Sequence, residues 1–170
     1  NMYDGDRWSV WTHADGLGAA NDRQLPASRN TGLGTRDRHD LSVLAQGKAT
    51  YNPNYVFCVL ADAQQRVWAG TWGGGLAVYT GSWRNFTQND GLGGNIVYSL
   101  AEDEQGRIWA GTNGGISVYD GQNWFTLNKS RGLGDDHVYA VVSFANTIWL
   151  GIRGAVLRLG ELGTRTRKIP

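Results

Sequence analysis

Three side chains of this sequence share one position in a repeating pattern and have the chemistry to hold a ligand. Trp72, Asn113 and Arg153 each stand four residues after a tryptophan, in Trp68-Ala69-Gly70-Thr71-Trp72, Trp109-Ala110-Gly111-Thr112-Asn113 and Trp149-Leu150-Gly151-Ile152-Arg153. An indole can stack on a sugar ring, an amide can bridge hydroxyls, and a guanidinium can hold an acidic group. Neighbouring glycines allow a ligand to approach closely. The competing reading is ordinary variation within a turn.

Catalytic and metal chemistry find less support. His13, His39 and His137 lack the spaced partners of a zinc site. No Gly-x-Ser-x-Gly elbow and no phosphate-cradling Walker loop occurs. Asp103-Glu104 and Asp135-Asp136 are acidic pairs that fall short of the alternating oxygen ligands of a calcium loop. Asp103 is expected instead to cap its own turn by accepting backbone N–H bonds. Cys58 lies in an apolar run and reads as a small buried hydrophobe. Arg165-Thr166-Arg167-Lys168 reads as a solvated tail or an edge strand. The expectation is a non-enzyme with no cofactor and no metal.

The elements that must position these residues are repeats. Val56, Val97 and Val138 are 41 residues apart each time; Trp68, Trp109 and Trp149 follow at spacings of 41 and 40. A period near 41 with several short strands per unit is the signature of a β-propeller blade. Each unit reads as four strands separated by turns such as Asp103-Glu104-Gln105-Gly106, Gly114-Gly115 and Asp120-Gly121-Gln122-Asn123, where Gly and Asp favour tight reversal. Asp-Gly-Leu-Gly turns recur at the crossovers, as at 15–18 and 90–93. The fold expected is therefore all-β: blades of four antiparallel strands, about three and a half of them, forming a partial or oligomer-completed propeller. The divisions are a C-terminal half of a blade at 1–18, a long inserted loop at 19–54, blades at 55–95 and 96–136, and a last blade with its tail at 137–170.

Within that frame Trp68, Trp109 and Trp149 are expected to wedge between blades. Phe57, Tyr98 and Tyr139 align on the first strands, either lining the central channel or packing between blades. Trp8, Trp83 and Trp124 start the outermost strands, where they either pack blade edges or form a stacking patch. Residues 19–53 stand where Gly94 alone stands in the next repeat. A loop of that length either decorates one rim or contacts a partner. Three and a half blades do not close a ring, so the implied partners are further blades from the same longer polypeptide or from a second copy.

Composition narrows the rest. Sixteen Lys and Arg against 15 Asp and Glu leave a net charge of +1, which offers no overall attraction to nucleic acid. Apolar residues make up 41%, too many for a disordered chain, and no apolar run is long enough for a membrane helix, so direct insertion by this segment is not expected. One cysteine excludes an internal disulfide.

The run Asp90-Gly91-Leu92, then Asn95 through Asp103-Glu104-Gln105-Gly106-Arg107-Ile108-Trp109-Ala110-Gly111-Thr112, resembles the two-component regulator propeller repeat. The resemblance is good at 54–71 and degraded at 131–151, where Phe144 replaces the Asp103 equivalent and Ile152 the Thr112 equivalent. It implies a sensor region of a bacterial hybrid histidine kinase, extracytoplasmic (periplasmic or cell-surface), that recognises a glycan or protein ligand. The alternatives are a scaffold subunit of a larger assembly, or part of a propeller enzyme.

Overall fold

The structure is a computed structural model that describes residues 2–3, 5–18, 55–159 and 167–168. The insertion expected at 19–54 lies outside them, as do Arg165 and Thr166 of the basic tail.

Three four-stranded antiparallel sheets follow one another along the chain. Blade A contains β3 (Val56–Ala61), β4 (Val67–Thr71), β5 (Leu76–Tyr79) and β6 (Trp83–Phe86). Blade B contains β7 (Val97–Glu102), β8 (Ile108–Thr112), β9 (Gly115–Tyr119) and β10 (Trp124–Leu127). Blade C contains β11 (Val138–Phe144), β12 (Thr147–Ile152), β13 (Ala155–Leu159) and β14 (Arg167–Lys168). Within each blade the spatial order is the sequence order. Ahead of them β1 (Met2–Tyr3) pairs with β2 (Trp8–Ser9) in a two-stranded sheet.

Each blade has two apolar faces, and the tryptophans of the second strands join them. Trp68 packs with Leu76, Val78 and Phe86 of blade A against Val97, Ile108, Ala110 and Tyr119 of blade B. Trp109 does the same from blade B, with Ala101, Ile116 and Val118, against Val138, Val141, Ile148, Leu150 and Leu157 of blade C. Trp68 is wholly buried and Trp109 is 3% exposed. Trp149 occupies the same position in blade C but has no blade beyond it among the described residues, and it is only half-buried. Around it the trailing face leaves Val142, Phe144 and Val156 exposed.

The half blade sits in register with its full counterparts. Trp11 lies 5.5 Å from Tyr79 and 6.3 Å from Trp83, as Phe86 lies 5.3 Å from Tyr119 and 5.5 Å from Trp124. Asn85 Nδ2 donates to the Gly16 carbonyl at 2.7 Å, and Thr126 Oγ1 donates to the Gly91 carbonyl at 3.1 Å, so the Asp-Gly-Leu-Gly turn docks on the outer strand of the following blade in both repeats. Gly16 and Gly91 have φ of 98° and 100°, which L side chains rarely adopt.

Candidate functional site

A β-bulge recurs at one place in every blade and decides where the inner aromatic rings point. The first-to-second-strand register shifts between Val56 and Cys58, between Val97 and Ser99, and between Val138 and Ala140. The skipped residues are Phe57, Tyr98 and Tyr139. Freed from the ladder, their rings line up across the inner strands. Phe57 stacks on Trp72 at 4.5 Å, Trp72 meets Tyr98 edge-on at 6.1 Å, Tyr98 lies 5.1 Å from Tyr139, and Tyr139 stacks on His137 at 6.0 Å. Burial, reinforced by the neighbouring Tyr139, pushes the Tyr98 hydroxyl pKa up.

The three candidate ligand residues lie on the rim beside this row, and the structure gives them three different roles. Trp72 is fully buried between Phe57 and Tyr98, which corrects the expectation of an indole presented to a ligand. Phe57 stacks on its ring and Tyr98 meets it edge-on, so the indole is built into the row of inner aromatic rings. Asn113 is half-buried, and its Oδ1 accepts the Ile96 N–H at 3.1 Å, pinning the crossover into blade B. Arg153 alone is exposed. On the same rim, Asp135 has a carboxyl that sits below its ordinary value. The main cause is the hydrogen bond from the His137 N–H, with smaller contributions from the His137 ring and the Arg153 charge. The rim thus offers an exposed guanidinium beside an Asp–His pair, His137 Nδ1 lying 3.3 Å from Asp135 Oδ1.

At the opposite rim, the turn between the first two strands holds an arrangement that sequence reasoning recovered only in part. Asp103 Oδ1 accepts the N–H groups of Gln105 and Arg107 at 3.0 and 2.9 Å, the cap expected. Its Oδ2 also accepts Trp109 Nε1–H and Arg107 Nε–H, both at 2.7 Å. Asp62 makes the corresponding bonds to the Arg66 N–H and Nε and to Trp68 Nε1. Burial pushes both carboxyls up, but the indole and arginine hydrogen bonds outweigh it and hold them below the ordinary value. Arg66 and Arg107 also lie over the rings of Trp68 and Trp109, at 5.1 and 5.6 Å. The signal available in the sequence was the shared six-residue spacing of Asp62 to Trp68 and Asp103 to Trp109.

Cys58 lies half-buried between blades A and B. Burial raises its thiol to about 12, which removes the thiolate needed for reactivity. No helix among the described residues is long and apolar enough to cross a membrane.

The repeats behind both rims can be compared with known proteins. Residues 50–73 and 91–114 match the family model of the two component regulator propeller. These segments are two-component regulator propeller repeats. A search of curated proteins found no match. Among solved structures, the chain is similar to the extracellular domain of BT3049 from B. thetaiotaomicron, described as a hybrid two component system. The TM-score is 0.60 at 21% identity, covering 68% of this chain and 17% of that one. It is also similar to the extracellular domain of BT4673 from the same organism, described as a one component system, with TM-score 0.58 and 21% identity over 71% of this chain and 19% of that one. The chain therefore spans less than a fifth of either structure. At this identity the likeness shows the fold: the regulator propeller repeats here build all-β blades of a partial propeller.

Proposed function

We propose that the chain is a stretch of a non-catalytic sensor propeller that works on the extracytoplasmic side of a bacterial membrane and recognises a ligand or a protein. The observation that supports this most is the regulator propeller match at 50–73 and 91–114, joined by the likeness to two extracellular domains of signalling systems. The recognition surface in this reading is the rim where Arg153 is exposed beside Asp135 and His137, with Asn113 holding the adjoining crossover. A glycan or an acidic group on a protein fits that chemistry.

In the same reading, further blades cover the two open flanks. They come from the longer polypeptide or from a second copy. Val142, Trp149 and Val156 on the trailing face of blade C occupy the positions of Ala101, Trp109 and Ile116, which blade B buries against its neighbour. A topology reporter fused within the full polypeptide tests the location. Activity of a reporter that matures only outside the cytoplasm supports the reading; activity of only a cytoplasmic reporter overturns it. Thermal-shift screening of the full polypeptide against oligosaccharides, repeated with Arg153→Ala, tests the rim, because binding unchanged by that variant removes Arg153 from the site.

The exposed Val142, Phe144 and Val156 favour one second reading, a scaffold whose blade faces hold neighbouring proteins. A stable complex co-purifying with the full polypeptide, and lost on Val156→Glu, distinguishes it.

A further inference from the structure

The trailing face of blade C departs from those of the other two blades at one position. Arg158 pairs with Trp149 in the β12–β13 ladder, as Val118 pairs with Trp109 and Val78 with Trp68. Val78 and Val118 are 5% and 7% exposed, because the next blade packs on them. Blade C therefore has an arginine where its neighbours have a core valine. Arg158 is exposed, and its guanidinium lies over the Trp149 ring, 6.0 Å from the centroid. The same face leaves Val142 and Val156 exposed.

Blades A and B each serve an indole and a guanidinium with one carboxylate. Asp62 Oδ2 accepts from Trp68 Nε1 and Arg66 Nε, and Asp103 Oδ2 accepts from Trp109 Nε1 and Arg107 Nε. Blade C keeps an indole with a guanidinium over it, but Phe144 stands where the carboxylate stands in the other two. Among the described residues Arg158 forms no ion pair. A blade with the leading face of blade B, which presents Val97, Ile108, Ala110 and Tyr119, would bury that guanidinium without an acceptor. Such burial is costly. A face built for water, in turn, would carry polar residues in place of Val142 and Val156, as capping repeats do.

We propose that the trailing face of blade C is covered by a further blade of the longer polypeptide that sets an aspartate or glutamate carboxylate against Arg158. The inference rests on the reading that a blade covers this flank. The chain's span of less than a fifth of two similar structures leaves room for one. What it adds is the chemistry of the junction. The carboxylate supplies the charge that Arg158 lacks and an acceptor at the Trp149 indole, the part that Asp62 and Asp103 play from within their own blades. Valine at this position lets the A–B and B–C junctions pack apolar surface alone, whereas the junction beyond blade C selects a blade with an acid at that point.

The test is thiol labelling of Val156→Cys in the full polypeptide, read at that residue by peptide mass analysis. Val156 is exposed in this chain, so a slow rate there reports a cover. The expected result is labelling far slower than in the urea-unfolded polypeptide. Arg158→Val, added to Val156→Cys, installs the residue of blades A and B and speeds labelling about tenfold or more. Arg158→Lys, which keeps the charge, speeds it less. Among Asp→Asn and Glu→Gln variants of the blade that follows blade C, one reproduces the effect of Arg158→Val and adds nothing to it in the double variant. Labelling of Val156→Cys alone at the unfolded rate removes the covering blade, and this inference with it. Protection lost on dilution shows that a second copy or a separate subunit covers the face, and overturns the proposal. Protection that Arg158→Val leaves unchanged or strengthens keeps the covering blade but overturns its carboxylate, as does the lack of any acidic residue whose removal matches Arg158→Val.

Discussion

Trp109 Nε1 and Asp103 Oδ2 lie 2.7 Å apart, so the aromatic wedge between blades B and C is held by a carboxylate of its own blade. The bond fixes the edge of the indole, and the Arg107 guanidinium lies over the ring, 5.6 Å from its centroid. Blade C has Phe144 where this carboxylate stands and Thr147 where the arginine stands, so Trp149 has neither anchor, and Arg158 at 6.0 Å supplies the cation over its ring. Removing the carboxylate from blade B by Asp103→Ala leaves a buried indole N–H and the Arg107 charge without their acceptor. We expect a loss of about 3 kcal/mol, measured by urea denaturation, with Asp103→Asn losing less because it keeps an acceptor.

The same carboxylates set a pH dependence. Asp62 and Asp103 are held below the ordinary carboxylate value in the folded chain, so the unfolded chain takes up protons first as pH falls. Their stabilisation is fully present above the unfolded value of about 3.9 and is lost as pH falls through the lower folded values. Stability should therefore decline steeply below about pH 4. The double variant Asp62→Asn, Asp103→Asn should show a shallower decline in acid denaturation. An equally steep profile in that variant sinks the assignment.

The tryptophans give a contrast that depends only on burial. Trp109 is buried between two blades, while Trp149 has none beyond it among the described residues. Trp109→Ala should cost about 3–5 kcal/mol. In the 170-residue chain by itself Trp149→Ala should cost less, because Trp149 is only half-buried and has less area to lose from the core. Equal losses in thermal melts of the 170-residue chain by itself contradict the blade order described here; in a longer polypeptide with a blade over Trp149 they are the expected result.

Blade number and strand order were legible because a 41-residue period, a wedge tryptophan and Asp-Gly turns all point to one architecture. The fate of Trp72 was not. Its burial depends on the bulge at Phe57 and Tyr98, which rotates those rings toward it, and a bulge leaves no mark in a simple alternation of apolar and polar residues. Asp103 was read as a turn cap because its bonds to Gln105 and Arg107 are local. Its bond to Trp109 crosses from one strand to the next and appears only once the hairpin is built.

A close approach between backbones gives another prediction. A Cβ added at Gly111 would lie 2.6 Å from the Val138 carbonyl oxygen and 3.0 Å from Ser99 Oγ and Val141 Cγ2. Backbone on one side and a packed core on the other leave it no room. Gly111→Ala should separate blades B and C locally and cost about 1–3 kcal/mol. Hydrogen exchange should show the loss as reduced protection in β8 and β11, with β4 and β5 unaffected.

The turns also hold a site where the chain can be made more stable. Gln65 has φ of 61° in the position that Gly106 fills in the next repeat with φ of 74°. A side chain in the left-handed region costs about 1–2 kcal/mol, and the Gln65 side chain is exposed, so little is lost by deleting it. The added freedom of glycine in the unfolded chain offsets part of that gain. Gln65→Gly should therefore raise stability by about 0.5–1 kcal/mol, and Gly106→Ala should lower it by a similar amount. The pair, measured together by chemical denaturation, separates turn strain from packing: neither substitution touches the wedge tryptophans, so a loss of stability in Gln65→Gly would mean that the Gln65 side chain itself contributes contacts outweighing the strain of its backbone.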